Sequence, residues 1–432
     1  MKETKDTARR VLAALRAAGA DEASCSVTEA ETREFNVDGG KFSLFRTLFD
    51  TSLRMTAFKD HKRGTVALNK TDDEAIKAAV ADCMAAAAAA EPDEAWGLAE
   101  TGDERTFLEG APEPELDRFF DRTSELMDDI KSRYPKILVE QMITEHKSYQ
   151  QTYVNTSGAE YTTVGGEYGV SVMFSGHDGD KSSSFNSAGA SFDSLDRKLI
   201  DLGSIDADLA ATEKQIDTVP MEGKFVGTMI LTPGCLGEFV DSLLGSFTGD
   251  RAILEGTTIW KDKLGEKVAD ERITVSFDPF NDRIVCGERF TGEGYLSQPC
   301  DVIKNGVLER FMLSRFVSKK TGFDRLPNDG SAMVIPAGDK SLDELIAGVE
   351  KGILVGRFSG GAPSNAGDFS GVAKNSFLIE SGKIGPALSE TMISGNLADL
   401  LKSLVGFSSE TVADGASVLP WAAFTGVTIS GK

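Results

Sequence analysis

Residues 137–174, ILVEQMITEHKSYQQTYVNTSGAEYTTVGGEYGVSVMF, decide the class of fold. Ile137, Val139 and Gln141 to Ile143 open an extended segment, and Tyr149 to Val154 continue it with residues suited to a pleated, half-buried surface. Asn155-Thr156-Ser157-Gly158 then supplies a turn, because Asn and Gly tolerate the left-handed backbone of a tight reversal. A partner strand follows from Tyr161, and Tyr168, Val170, Val172 and Phe174 keep the period of two.

Upstream, Val11, Leu12, Leu15 and Ala18 recur at helical spacing from about Lys5, with Gly19 where a C-cap is expected. Cys25, Val27, Phe35 and Val37 alternate into the hairpin turn Asp38-Gly39-Gly40-Lys41. Leu53, Met55 and Ala57 mark the next strand, Lys59–Gly64 reads as a polar turn, and Thr65–Leu68 as the returning strand. Thr71 with Glu74 has the capping-box spacing and opens a helix that runs through six alanines to Pro92. Residues 91–129 hold 14 acids against 3 arginines. Their first part, around Pro92, Pro112 and Pro114, reads as an exposed linker; their second is a helix with Leu116, Phe119, Phe120, Thr123, Leu126 and Ile130 on one stripe. Its acids then form a solvated face.

Downstream, a helix around Leu195–Lys214 precedes a boundary at Val219-Pro220. Beyond it, Thr228–Leu231 is a short strand and Pro233–Leu244 a helix burying Leu236, Phe239, Val240, Leu243 and Leu244. Further strands are expected at Ile273–Phe277, Val302–Ile303, Val334–Ile335, Ile353–Phe358, Ser376–Ile379 and Val427–Ile429, with helices only at Leu342–Glu350 and Ala398–Leu404. The expected class is α+β and multi-domain. Residues 1–90 form an N-terminal α+β unit, 91–220 an acidic linker, helix and strand-rich α+β unit, and 221–432 a β-rich C-terminal domain. Antiparallel or mixed sheets are expected in the front units.

Composition narrows function. The 432 residues carry 46 Lys plus Arg against 68 Asp plus Glu, a formal charge of −22, which argues against a nucleic-acid partner. No run of 18 apolar residues and no signal-peptide pattern occurs, so no membrane association is expected. Cys25, Cys83, Cys235, Cys286 and Cys300 are scattered, odd in number and never in C-x-x-C spacing. That usage fits a reducing compartment, and a cytoplasmic location is expected. Neither a G-x-x-x-x-G-K-S/T phosphate loop nor a G-x-S-x-G elbow is present. His61, His146 and His177 lie in a turn, at a strand end and in a Gly-His-Asp-Gly loop, without metal-ligand spacing. All three read as surface or structural residues, and the cysteines as small buried hydrophobes.

The segments GDFSGVAKNSFLIESGKI (367–384), TMISGNLADLL (391–401), GEGYLSQPCDVIKNGVL (292–308) and LTPGCLGEFVDSLLGSFTGD (231–250), with the VNTSG turn (154–158), stand out together. In combination they resemble the TldD/PmbA family, once described as modulators of DNA gyrase. The likeness is to the PmbA (TldE) branch. It implies a metalloprotease system in which a TldD-type subunit binds zinc through an H-E-x-x-x-H helix, its two histidines on one face, and a C-terminal cysteine. Such a metal polarises a water and the scissile carbonyl while the Glu acts as base. Aligned on Gly249-Asp250, this chain has Val240, Asp241 and Gly245 where the first His, the Glu and the second His would stand, and residues 401–432 contain no cysteine.

The resemblance therefore implies no catalytic residue and no metal ligand in this chain, with zinc expected only in a TldD-like partner. Unfolded or extended peptides are the implied substrates, held in a chamber between subunits. Addition of such a peptide to a sheet edge in the third domain would give sequence-tolerant binding. Two other readings stay open. One is a stand-alone homodimeric peptide-binding scaffold, and the other a hydrolase with an atypical site of carboxylates and one isolated histidine.

Overall fold

The computed structural model describes residues 2–100, 102–389 and 391–431. The front half runs α1 (Lys2–Ala17), β1 (Glu22–Asp38), β2 (Lys41–Lys59), β3 (Lys62–Leu68), α2 (Asp73–Ala89), β4 (Glu104–Gly110), α3 (Leu116–Arg133), β5 (Ile137–Asn155), β6 (Glu160–Asp178), β7 (Lys181–Ser182), β8 (Asn186–Phe192) and α4 (Ile205–Lys214). β5 and β6 form the hairpin that the opening stretch encodes, paired from Ile137 with Gly176 down to Val154 with Glu160. Gly158 turns it at φ +100, in the region where an L side chain is strained.

Among the described residues one eight-stranded sheet has the order β3-β2-β1-β5-β6-β4. β4 (parallel) and β8 (antiparallel) share the far edge of β6 end to end. The sheet curves into a half-barrel. β1 pairs with β5 from Ser24–Asn155 to Asp38–Gln141, so segments 1–90 and 91–220 contribute to the same sheet.

Strand alternation divides that sheet's two faces. Cys25 and Val27 of β1 and Leu53, Met55 and Ala57 of β2 point at α1 and α2 and are fully buried. Ser26, Arg54 and Tyr153 lie in register on the opposite face. α3 seats Phe119, Leu126 and Ile130 against Met142, Tyr168 and Val172 in a second cluster. Each such side chain contributes about 1.5–3 kcal/mol through burial.

Three local expectations are corrected. The α2 cap is Asp72, whose carboxylate accepts the Ala75 N–H at 2.9 Å, and not Thr71; a carboxylate at that point also meets the positive end of the helix dipole. Residues 91–115 are not a plain linker. They bury Ala95, Leu98 and Ala99 and supply β4, whose strand signal was masked by its acids. The helix expected over 195–214 is a single 3₁₀ turn, Leu199–Asp201, followed by α4 from Ile205.

α4 lies on β6 and β8 and carries Asp208, whose carboxyl is pushed up to about 6 by burial, against one hydrogen bond from Ser204 Oγ (2.6 Å). A raised acid pKa means that the folded state holds its proton more tightly than the unfolded chain. Stability therefore falls as pH rises from about 4 to about 6 and stays lower above. Asp208→Asn keeps an acceptor for Ser204 and is expected to add about 1–2 kcal/mol at pH 7.5 and almost nothing at pH 4. Thermal midpoints at the two pH values check this; an equal effect at both would remove the explanation.

The back half runs β9 (Thr218–Pro220), β10 (Lys224–Leu231), α5 (Pro233–Thr248), α6 (Asp250–Leu254), β11 (Val275–Phe277), β12 (Cys300–Lys304), β13 (Val307–Leu308), α7 (Arg315–Thr321), β14 (Met333–Val334), α8 (Leu342–Ala347), β15 (Lys351–Gly360), β16 (Asp368–Glu380), β17 (Lys383–Ser389), β18 (Thr391–Asn396), α9 (Leu397–Lys402), β19 (Leu404–Ala413) and β20 (Val418–Ser430). α6 and α7 were not expected, since helices this short carry too few turns for a periodic signal. Pairing runs from β10 to β15, β16, β18 and β20 and back to β10, which closes a barrel. The chain is thus a multi-domain α+β protein with mixed sheets. No helix among the described residues is long and apolar enough to cross a membrane.

Candidate functional site

α5 is the helix to which the family likeness directs attention. Pro233 fits its first turn, where a missing N–H costs nothing. Thr232 ties the start of the helix to β15, its N–H donating to Val355 O (3.1 Å) and its Oγ1 to Gly356 O (3.0 Å). Leu236, Phe239, Leu243 and Phe247 then face a cluster shared with Met229, Ile353 and Ile429 of the barrel strands. Phe239 meets Phe358 and Phe369 edge-on, with ring centroids 5.1 and 5.3 Å apart.

The three positions matched to the zinc motif do not come together. Val240 is 5% exposed and belongs to the buried stripe. Asp241 and Gly245 lie on the open side of α5, and a Cβ added at Gly245 meets nothing within 4 Å. Five helical residues advance about 500°, so positions 240 and 245 sit about 140° apart and share no face of a regular helix. A valine, one carboxylate and a glycine do not fit a zinc ion, because only one of the three positions offers a donor.

The open side of α5 carries Glu238 and Asp241, both raised in pKa by burial although each side chain reaches solvent. Arg357 of β15 opposes the rise at Glu238; its guanidinium lies 4.9 Å from the Phe185 ring, and its Nε has no hydrogen-bond partner among the described residues. Asp250 accepts the Ser314 N–H (2.9 Å) at the start of α7 and so has a structural task.

The remaining candidates are dispersed. His61 occupies a hairpin turn at φ +59. His146 lies in the middle of β5 rather than at a strand end; it is buried, its Nε2 bonds Ala111 O (2.7 Å), and burial lowers its pKa. His177 Nε2 meets Ser175 Oγ at 2.8 Å. Among the described residues no three His, Cys, Asp or Glu side chains are placed to hold a metal ion. Four cysteines are buried as expected, whereas Cys286 is exposed, its Sγ 3.2 Å from Glu167 Oε2. Burial pushes the Cys286 thiol up to about 11, away from thiolate chemistry.

The two halves meet along a polar seam that the sequence did not reveal. Arg289 grips Glu109 of β4 through Nε and Nη2, both contacts 2.6 Å. Trp96 stacks on Phe316 at 3.9 Å, and Tyr153 Oη donates to Glu293 O (3.2 Å). Gly294 must be glycine there. Its φ is +89, and a Cβ would meet the Tyr153 hydroxyl oxygen at 2.4 Å.

Comparison with known proteins accords with this architecture. Residues 223–431 match the PmbA/TldA metallopeptidase C-terminal domain. A metalloprotease of Methanothermobacter thermautotrophicus is 30% identical over 203 residues, 44% of each chain, so the match spans less than half of that relative. A metalloprotease PmbA homolog of Haemophilus influenzae is 22% identical over 407 residues, covering 90% of this chain and 84% of the other. The crystal structure of TldE from Thermococcus kodakarensis shares the fold, with a TM-score of 0.84 at 20% identity over 98% of this chain and 100% of that one. The back half, with α5 packed on its barrel, is thus a metallopeptidase-family C-terminal domain. Together these likenesses support assignment of the chain to the TldD/PmbA family.

Proposed function

We propose that this chain is a PmbA/TldE-type subunit of a two-subunit metallopeptidase, contributing walls and peptide contacts while a zinc-bearing TldD-type partner does the chemistry. The observation that carries this is α5. The helix is formed and seated on the barrel, yet at 240, 241 and 245 it presents a buried valine, a lone carboxylate and a glycine. Unfolded or extended peptide is the proposed substrate, and the open face of α5 bearing Glu238 and Asp241 is one surface it would pass. An association surface has support in the exposed apolar side chains of β2, where Phe45 is 58% and Phe49 77% exposed. The net charge of −22 favours neither nucleic acid nor an anionic membrane as partner.

The test is metal analysis of the purified chain, followed by assay on an unfolded peptide with and without a TldD-type chain. No stoichiometric zinc on the chain alone, and cleavage only in the mixture, are expected. Stoichiometric zinc or cleavage by the isolated chain would sink the proposal and favour an atypical metal site. A homodimer that binds peptide and stays inert beside every such partner would favour a scaffold.

A further inference from the structure

A cleft of about 530 Å³ lies between the β1/β2/β5 face of the front half and the 288–293 loop of the back half. Its floor is polar, built from in-register rows: Arg54, Ser26 and Tyr153 in one, Ser52, Thr28 and Gln151 in the next. Arg54 and Arg63 stand on one side, and Glu288, Glu293 and Asp329 come from the back half. Most arginines of this chain that approach a carboxylate pair with it, as Arg289 does with Glu109. The five charged groups of the cleft behave otherwise, for none forms an ion pair among the described residues.

On the basic side, Arg63 is lowered in pKa by burial and then by its neighbour Arg54, with Glu293 of the opposite wall acting against the fall. Arg63 is held in place by stacking, 4.7 Å above the Trp96 ring. On the acidic side only neutral donors are used. Glu288 accepts from the Asp329 N–H (2.9 Å) and the Ser297 and Ser331 hydroxyls (3.1 Å each), and Glu293 from the Arg315 N–H (2.9 Å). Asp329 accepts weakly from the Gly292 N–H (3.3 Å). Burial, then Glu288 and Glu293, push Asp329 up to about 6. Arg63, Glu293 and Asp329 thus lose hydration with no ion pair in return, Arg315 and Arg325 offsetting part of the cost at Glu293, and a ligand of matching charge removes the remainder.

We propose that this cleft binds a small zwitterion, a free α-amino acid or a dipeptide, with its carboxylate between Arg54 and Arg63 and its ammonium among Glu288, Glu293 and Asp329. The opposed walls exclude the simpler ligands. A phosphate or nucleotide would meet three carboxylates, and a polyamine would meet two guanidiniums. A divalent cation is disfavoured because these acids do not converge as metal ligands. The volume falls in the usual range for small-ligand sites, and the hydroxyl-rich floor offers donors and acceptors to a peptide group.

Calorimetry on the isolated full chain tests this with alanine and alanyl-alanine against N-acetyl-alanine and alaninamide. An unblocked ligand should bind and raise the thermal midpoint, and each blocked form should bind at least about ten-fold more weakly. Arg54→Met, at an exposed residue outside the core clusters, should weaken binding about ten-fold while leaving the ligand-free midpoint unchanged; Glu293→Gln should do the same to the ammonium contact. No binding of either unblocked ligand at millimolar concentration overturns the proposal, as does equal binding of blocked and unblocked forms, or unaltered affinity in Arg54→Met. The readout needs no zinc-bearing partner and no proteolysis, so its failure and that of the subunit reading are separate results.

Discussion

Replacing Phe119 by alanine is expected to lower stability by about 3–5 kcal/mol. Phe119 has no exposed surface, and its ring is within 5.6 Å of Phe35, 4.8 Å of Tyr168 and 6.3 Å of Phe192, centroid to centroid. The substitution leaves a cavity where α3 meets the sheet. Little can collapse into it, because Tyr168 is anchored at its far end by the hydrogen bond that its hydroxyl oxygen accepts from the Glu115 N–H (2.9 Å). Leu108→Ala, at a side chain 74% exposed, serves as control and should stay within about 0.5 kcal/mol. Urea unfolding of the three proteins decides it. Equal midpoints for Phe119→Ala and wild type would mean that α3 is not the element that seals this face.

Gly64→Ala is expected to cost about 3 kcal/mol or more, a large effect for one added methyl. A Cβ there would sit 2.0 Å from Cys83 O and 2.6 Å from Ala87 N, both backbone atoms of α2. No rotamer change relieves such a contact, so α2 must lift from β3. Lifting would break the Cys83 Sγ–H to Gly64 O contact (3.4 Å) and loosen the packing of Ala79, Val80 and Cys83 against Met55. Gly361→Ala, with open space at its Cβ and no positive φ, is the matched control. Amide hydrogen exchange in α2 should rise selectively in Gly64→Ala; unchanged protection together with an unchanged melting point would refute the close-approach argument.

These residues differ in how far the chain alone announced them. The Phe119 stripe follows from a period of 3.6, a local signal, and α3 is where that signal put it. Gly64 was absorbed into a supposed turn at Lys59–Gly64. The turn is only Asp60-His61, both left-handed at φ +51 and +59, and Gly64 lies inside β3. Its role depends on α2, some twenty residues on, and neither composition nor spacing encodes that distance of approach. β4 escaped notice for a related reason: a seven-residue parallel edge strand rich in charge carries no alternation of its own.

By itself the sequence determined the elements: the alternation of β5 and β6, the turn at Asn155–Gly158, the apolar faces of α3 and α5, and the absence of histidine at 240 and 245. Those are consequences of residue type over a few neighbours, where sterics and side-chain periodicity act. Only the tertiary structure joined residues 22–38 to 137–155 in one sheet, closed the barrel, and left Gly245 beside open space. It alone set Arg54 and Arg63 across a cleft from Glu288, Glu293 and Asp329. Residues more than two hundred positions apart share no local signal, and their charges acquire meaning only when folding removes the water that would otherwise screen each one separately.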